Sequence, residues 1–206
     1  MARRIWVTAD THFGHAEAIE LFGRPFRDVR EMDGALLDAI NARVGKRDEL
    51  LHLGDVFGSI DWKSRPARCE ARATLARIRC RRIHLVTGNQ DPVSPSFARL
   101  FRSAKESRTF RVDAPGAMPR LRVVCHHYPI RQWRGMWAGA LHLHGHAHGS
   151  VEEFGRSIDV GVDCWNFAPI PLEDLVDLLC ARPVPEGGFR RVHPVRPASA
   201  VPAQEA

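Results

Sequence analysis

Nowhere does this chain hold an apolar run long enough to form a membrane-spanning helix, which excludes a helical membrane protein. Met1-Ala2-Arg3-Arg4 runs straight into Ile5-Trp6-Val7, too short an apolar segment for a signal peptide, so a cytoplasmic protein is expected. Cysteine is sparse and scattered: the five residues Cys69, Cys80, Cys125, Cys164 and Cys180 form no Cys-x-x-Cys pair. Reduced thiols follow from this, rather than disulfides or a thiolate zinc site. There is no internal repeat, and no basic run interleaved with aromatics of the kind that marks a nucleic-acid groove.

What is present is globular composition, 44% hydrophobic and 26% charged, in 206 residues, enough for one substantial core. We expect one domain over residues 1–181 and a loosely ordered tail rich in proline and alanine over 182–206. The formal charge of +6 favours anionic substrates. Much of the arginine between Arg65 and Arg82 reads as a solvated helical face in preference to a nucleic-acid groove.

Four of the eleven histidines fall within the segment Leu141-His142-Leu143-His144-Gly145-His146-Ala147-His148-Gly149. Leu141 and Leu143 alternate with polar residues as in an arriving strand, and the glycines then let the chain turn. Neutral imidazole is the commonest protein metal ligand, so the chemistry is placed here. Reading forward from the N-terminus, other apolar runs end the same way. Ile5 to Ala9 leads into Asp10-Thr11-His12-Phe13-Gly14-His15, and Leu50 to Leu53 into Gly54-Asp55. Ile83 to Thr87 leads into Gly88-Asn89-Gln90, and Leu121 to Cys125 into His126-His127-Tyr128-Pro129. Strand tips of this kind are where open α/β sheets bind ligands. Between them, helices are expected over 16–22, 29–44, 65–79 and 94–102, with strands over 109–112 and 157–162 and a last helix over 171–179.

This ordered set of Asp-x-His, Gly-Asp, Gly-Asn, His and Gly-His-x-His resembles the calcineurin-like metallophosphoesterases, in a small single-domain microbial form. The resemblance implies an α/β fold in which a two-layer β-sandwich is flanked by α-helices. It also implies a dinuclear metal centre: Asp10, His12 and His148 on one ion, Asn89, His127 and His146 on the other, and Asp55 bridging. Manganese, iron or zinc would suit such a mixture of oxygen and imidazole donors. Because His126 and His127 are adjacent on a strand, only one should face the metals, and the family phrase with histidine directly before Tyr-Pro selects His127. His142 and His144 are expected to support the strand behind the site.

The implied activity is hydrolysis of a phosphate ester by a metal-bridging hydroxide, on a phosphorylated small molecule or nucleotide. One position departs from the family. Gln90 stands where a histidine beside the phosphate usually serves as general acid, and an amide cannot take that role. A phosphodiester with a good leaving group is therefore favoured over an alkyl monoester, unless His15 or His126 supplies the proton. Asn89 and Arg24 are candidate phosphate contacts, a structural salt bridge being the other reading for Arg24. The competing readings are a metal-binding interaction module with weakened catalysis and a nuclease or RNA-processing phosphodiesterase.

Overall fold

The computed structural model describes residues 3–113 and 120–187. In chain order the first half holds β1 (Ile5–Thr8), α1 (Glu17–Leu21), α2 (Val29–Arg43), β2 (Glu49–His52), α3 (Arg65–Arg77) and β3 (Ile83–Val86). The second holds α4 (Pro95–Ala98), β4 (Ser103–Lys105), β5 (Ser107–Val112), β6 (Leu121–His126), β7 (Leu141–His144), β8 (Ser157–Asp159), β9 (Ile170–Pro171) and α5 (Leu172–Cys180). Two sheets result, ordered β4-β3-β2-β1-β9 and β5-β6-β7-β8. β1 to β4 are mutually parallel, as are β6 to β8, while β9 and β5 lie antiparallel at an edge of each sheet.

The period-2 alternation of the first sheet decides which layer each side chain joins. Trp6, Leu50 and Leu85 face α2 and α3, packing on Met32, Leu36, Ile40 and Leu75. Their neighbours Val7, Leu51 and Val86 face the other way and meet Val123, Cys125, Leu141 and Leu143 of the second sheet. That inter-sheet core makes the chain a two-layer sandwich, with helices flanking the first sheet. Trp133, with Val124 and Met136, forms a smaller cluster with its indole N–H donating to the Ala140 carbonyl at 2.8 Å. Among the described residues no helix is long and apolar enough to cross a membrane.

Two stretches differ from expectation. The helix expected over 94–102 is only α4, and an unexpected edge strand, β4, follows it. Ser94 and Pro95 start the helix, but the Arg102 N–H donates to the Ile83 carbonyl at 2.7 Å and draws the chain alongside β3. The strand expected over 157–162 stops at Asp159, because that carboxylate folds onto the Gly161 N–H at 2.8 Å and a 3-10 turn follows over Val162–Cys164. The expected turn at 114–119 and most of the expected tail, 188–206, lie outside the described residues.

Leu143 is fully buried between the sheets. Leu143→Ala is expected to cost about 2–5 kcal/mol, the usual range for an unrelaxed core cavity. Urea denaturation measures this, and a cost below about 1 kcal/mol would contradict the packing.

Candidate metal centre

The loops at the C-terminal ends of β1, β2, β3, β6 and β7 converge. The first two are stitched as a continuation of the parallel ladder: Asp10, His12 and Phe13 donate N–H groups to the carbonyls of Gly54, Asp55 and Val56 at 3.0, 3.1 and 2.9 Å. Asp91, which the sequence motifs did not single out, ties the third loop to the second. Its Oδ2 accepts from Asp55 N at 3.0 Å and Gly88 N at 2.8 Å, and its Oδ1 from Val56 N at 3.0 Å. Asp159 does the same for the last loop, accepting from Gly149 N at 3.0 Å as well as from Gly161 N.

The close approach of these loops requires glycine at two places. A Cβ at Gly88 would collide with the Asp55 carboxylate, and one at Gly145 with the Asp10 carboxylate. The residues around the glycines are bent further: Asp10, His12, Asp55, His146 and His148 all have positive φ, between 47° and 68°. Asp and His tolerate that region better than most side chains, yet each such residue costs on the order of 1 kcal/mol.

This geometry gathers two triads. Asp10, His12 and His148 each bring a ligand atom within 4.8 Å of the others, and so do Asp55, His127 and His146. Asn89 adjoins the second triad, its Oδ1 2.9 Å from His127 Nε2. Asp55 Oδ2 stands between the two, 3.8 Å from His12 Nε2 and 3.4 Å from His127 Nε2.

The donors fit divalent cations. Asp10 Oδ1 and His12 Nε2 are buried without any hydrogen-bond partner, a costly state that a cation between them would relieve. Burial pushes the Asp10 carboxyl well above its ordinary pKa, with Asp159 and Asp55 adding to the effect against the pull of His127. Burial also lowers His12 to about 3, so its imidazole is neutral and able to ligate. At Asp55 burial works upward, but the hydrogen bond and charge of His127, with the Gln90 N–H, hold the carboxylate below its usual value. Orienting partners are present too. His127 Nδ1 donates to the Leu53 carbonyl at 2.8 Å, and His148 Nδ1 to Asp163 Oδ2 at 2.7 Å, leaving each Nε2 toward its triad. Phe22 stacks on the His148 ring at 3.5 Å between centroids.

Two expected roles change. Arg24 is not available to a phosphate, because its side chain is fully buried and all five guanidinium N–H groups are engaged. Nε and Nη2 hold the two Asp163 oxygens at 2.8 and 2.9 Å, Nη2 also reaches the Asp10 carbonyl at 2.7 Å, and Nη1 the Thr11 carbonyl at 3.0 Å and Met32 Sδ at 3.4 Å. The salt-bridge reading is the correct one: Arg24 braces the backbone of the first loop and, through Asp163, the ring of His148. His126 lies on the opposite face of β6 from Cys125 and His127, and its Nδ1 accepts from Tyr128 N at 3.1 Å, so it is outside both triads. His15 stays close, its Nδ1 3.1 Å from His12 Nδ1. Gln90 donates its backbone N–H to Asp55 Oδ1 at 2.8 Å, while its side-chain oxygen accepts from the Ser59 hydroxyl. His142 and His144 are buried and bond backbone carbonyls of Val124 and Gly145. The sequence reading passed over Asp163 and Asp159; a carboxylate breaking an apolar run, as each does near Ile158, Val160 and Val162, was the available signal.

Asp163→Asn should weaken divalent-cation binding at the first triad about 10–100-fold, the usual effect of removing a histidine's carboxylate partner. Calorimetric titration with Mn²⁺ reads this directly, and wild-type affinity for both ions would refute the orienting role.

Comparison with known proteins agrees with this arrangement. An uncharacterized protein of Methanocaldococcus jannaschii is 28% identical over 184 residues, covering 86% of this chain and 92% of that protein. The gene 66 protein of Mycobacterium phage L5 is 28% identical over 185 residues, covering 78% of this chain and 86% of its own length. A crystal structure of a protein of unknown function from Aquifex aeolicus shares the fold, with a TM-score of 0.62 at 20% identity over 86% of this chain and 100% of that one. The model of the calcineurin-like phosphoesterase family matches residues 3–177, which include all five converging loops. The chain therefore belongs to the calcineurin-like phosphoesterases, metal-dependent hydrolases of phosphoric ester bonds.

Proposed function

We propose that this protein hydrolyses a phosphodiester at a dinuclear metal centre, with Asp10, His12 and His148 on one ion, Asn89, His127 and His146 on the other, and Asp55 shared. The observation that carries the reading is the position of Asp55 Oδ2, within 4 Å of a ligand nitrogen from each triad. A carboxylate is the side chain able to serve two cations at once. Two divalent ions there, manganese, iron or zinc, would neutralise phosphoryl charge and activate a water for in-line attack on phosphorus. All seven donors are retained around two triads, which argues against an interaction module that has lost its chemistry.

The chain's own groups account for the rest. Gln90 offers its carboxamide N–H₂ to a phosphate oxygen, since only its oxygen is engaged by Ser59. It has no acidic proton to give. His15 is the nearer imidazole, its Nδ1 3.1 Å from His12 Nδ1 and its Nε2 3.7 Å from Glu17, and it can protonate a leaving group only in its imidazolium form. Tyr128 presents a 43% exposed ring beside the site, 4.5 Å from the His146 ring between centroids. That flat surface suits a substrate with an aromatic or nucleobase group, in keeping with a nucleotide or other organic diester.

Asp55→Asn is expected to abolish metal-dependent hydrolysis of bis(p-nitrophenyl) phosphate; unchanged turnover would sink the shared-carboxylate assignment. Gln90→His should raise activity on p-nitrophenyl phosphate relative to the diester, by up to the 10²–10⁴-fold that general-acid catalysis typically contributes. A constant ratio in the two assays would count against the leaving-group argument.

A further inference from the structure

The candidate metal centre occupies the C-terminal ends of the parallel strands, and the opposite ends carry a different chemistry. β2 is entered through Lys46 and Arg47, β3 through Arg79, Arg81 and Arg82, and β4 through Arg102. Because these strands are parallel and in register, with Leu50 beside Ile83 and His84 beside Ser103, the fold brings all six basic residues to one end of the sheet. All six are exposed, and among the described residues none forms an ion pair. The carboxylates that flank the strand entries are committed elsewhere. Asp48 accepts from Arg4 N, Gly45 N and the Trp6 indole, Glu49 pairs with Arg3 at 3.3 Å, and Glu173 pairs with Arg4 at 3.2 Å.

Arg65, Arg68, Arg72 and Arg77 lie on α3, but the six basic residues here belong to no helix face. They are gathered from three strand entries, where their charge exceeds that of the Asp48 and Glu49 carboxylates beside them, which is the condition of a surface suited to an external polyanion. We propose that this end of the first sheet binds the phosphate backbone of double-stranded nucleic acid, without reading its sequence.

The surroundings favour that partner over others. Among the described residues the exposed large hydrophobic side chains are Leu21, Val93, Tyr128, Val151, Phe154, Leu178 and Val184, and none of these lies at the strand entries. An anionic membrane surface would gain little without an apolar side chain to insert, and single strands would lack the aromatic platforms on which bases stack. A duplex needs neither. Strand spacing of about 4.8 Å places the entries of β2 and β4 about 10 Å apart, a span facing roughly six duplex charges at one per 1.7 Å. The strands themselves, about 13 Å long at four residues, separate this face from the metal centre. It is a docking surface that holds the protein on nucleic acid, not a continuation of the catalytic cleft, and it stands whether or not the diester reading above is correct.

Fluorescence anisotropy with a labelled 20-base-pair duplex at 50 mM salt tests this on the full chain. Micromolar or tighter binding is expected, weakened at least 10-fold in the triple variant Arg47→Glu, Arg79→Glu and Arg102→Glu. The milder triple alanine variant should lower the slope of log K against log salt by about 2–3, at roughly 0.9 per lost phosphate contact. Both variants should keep the wild-type melting temperature and the wild-type rate on bis(p-nitrophenyl) phosphate. No duplex binding by the wild type, equal binding by the variants, or preference for a single strand, an acidic polypeptide or phosphatidylserine vesicles would each overturn the assignment.

Discussion

Buried carboxylates facing one another are the constraint on which the rest of this structure turns. Asp10, Asp55 and Asp159 lie close enough that Asp10 feels the charge of the other two, in a site from which water is largely excluded. Such an arrangement is unfavourable unless positive charge is brought in. His127 meets part of the demand, its pKa rising because Asp55 and Asp10 outweigh the opposing effect of burial. The unpartnered Asp10 Oδ1 and His12 Nε2 mark where more is required. Divalent cations answer that requirement with the family's chemistry, so the feature that strains the protein is also the one that makes it an enzyme.

The strain extends into the backbone and sets how the fold must be built. Five left-handed non-glycine residues at about 1 kcal/mol each amount to a sizeable fraction of the 5–15 kcal/mol by which domains are usually stable. They persist because both sheets hold them. The first sheet carries Asp10, Asp55 and Asn89, and the second carries His127, His146 and His148. The site therefore exists only once Val7, Leu51 and Val86 have packed against Val123 and Leu143 between the layers. Asp91, Asp159 and the Arg24–Asp163 pair then lock the loops from behind, each by accepting or donating several bonds at once.

Strand-tip donors were legible in the sequence because each follows an apolar run whose period and glycine punctuation are local signals. The two-layer sandwich comes from the family resemblance alone, since apolar runs mark buried strands without saying which sheet each joins. What escaped was everything decided by contacts distant along the chain. β4 looks like the end of a helix until Ile83 is available to pair with it. For Arg24 the sequence leaves a phosphate contact and a salt bridge both open, because its partner, Asp163, lies 139 residues away. His126 and His127 are chemically identical, and the choice of His127 rests on the family phrase before Tyr-Pro until β6 sets His126 on the opposite face. The arginines between 65 and 82 suggested one helix face, whereas the parallel register distributes the last three to a strand entry with Lys46, Arg47 and Arg102.

The departure at position 90 is easier to understand with the backbone in view. Gln90 meets the shared carboxylate through its main-chain N–H, at 2.8 Å from Asp55 Oδ1, a contact that any non-proline residue would supply. The structural duty at this position is thus independent of the side chain. Only the side chain addresses the leaving group, and an amide there can hydrogen-bond but not protonate. The metal centre and the proton donor are in this sense separable parts. On the phosphodiester proposal, glutamine in place of histidine would change which esters can leave while Asp55 keeps its place between the triads.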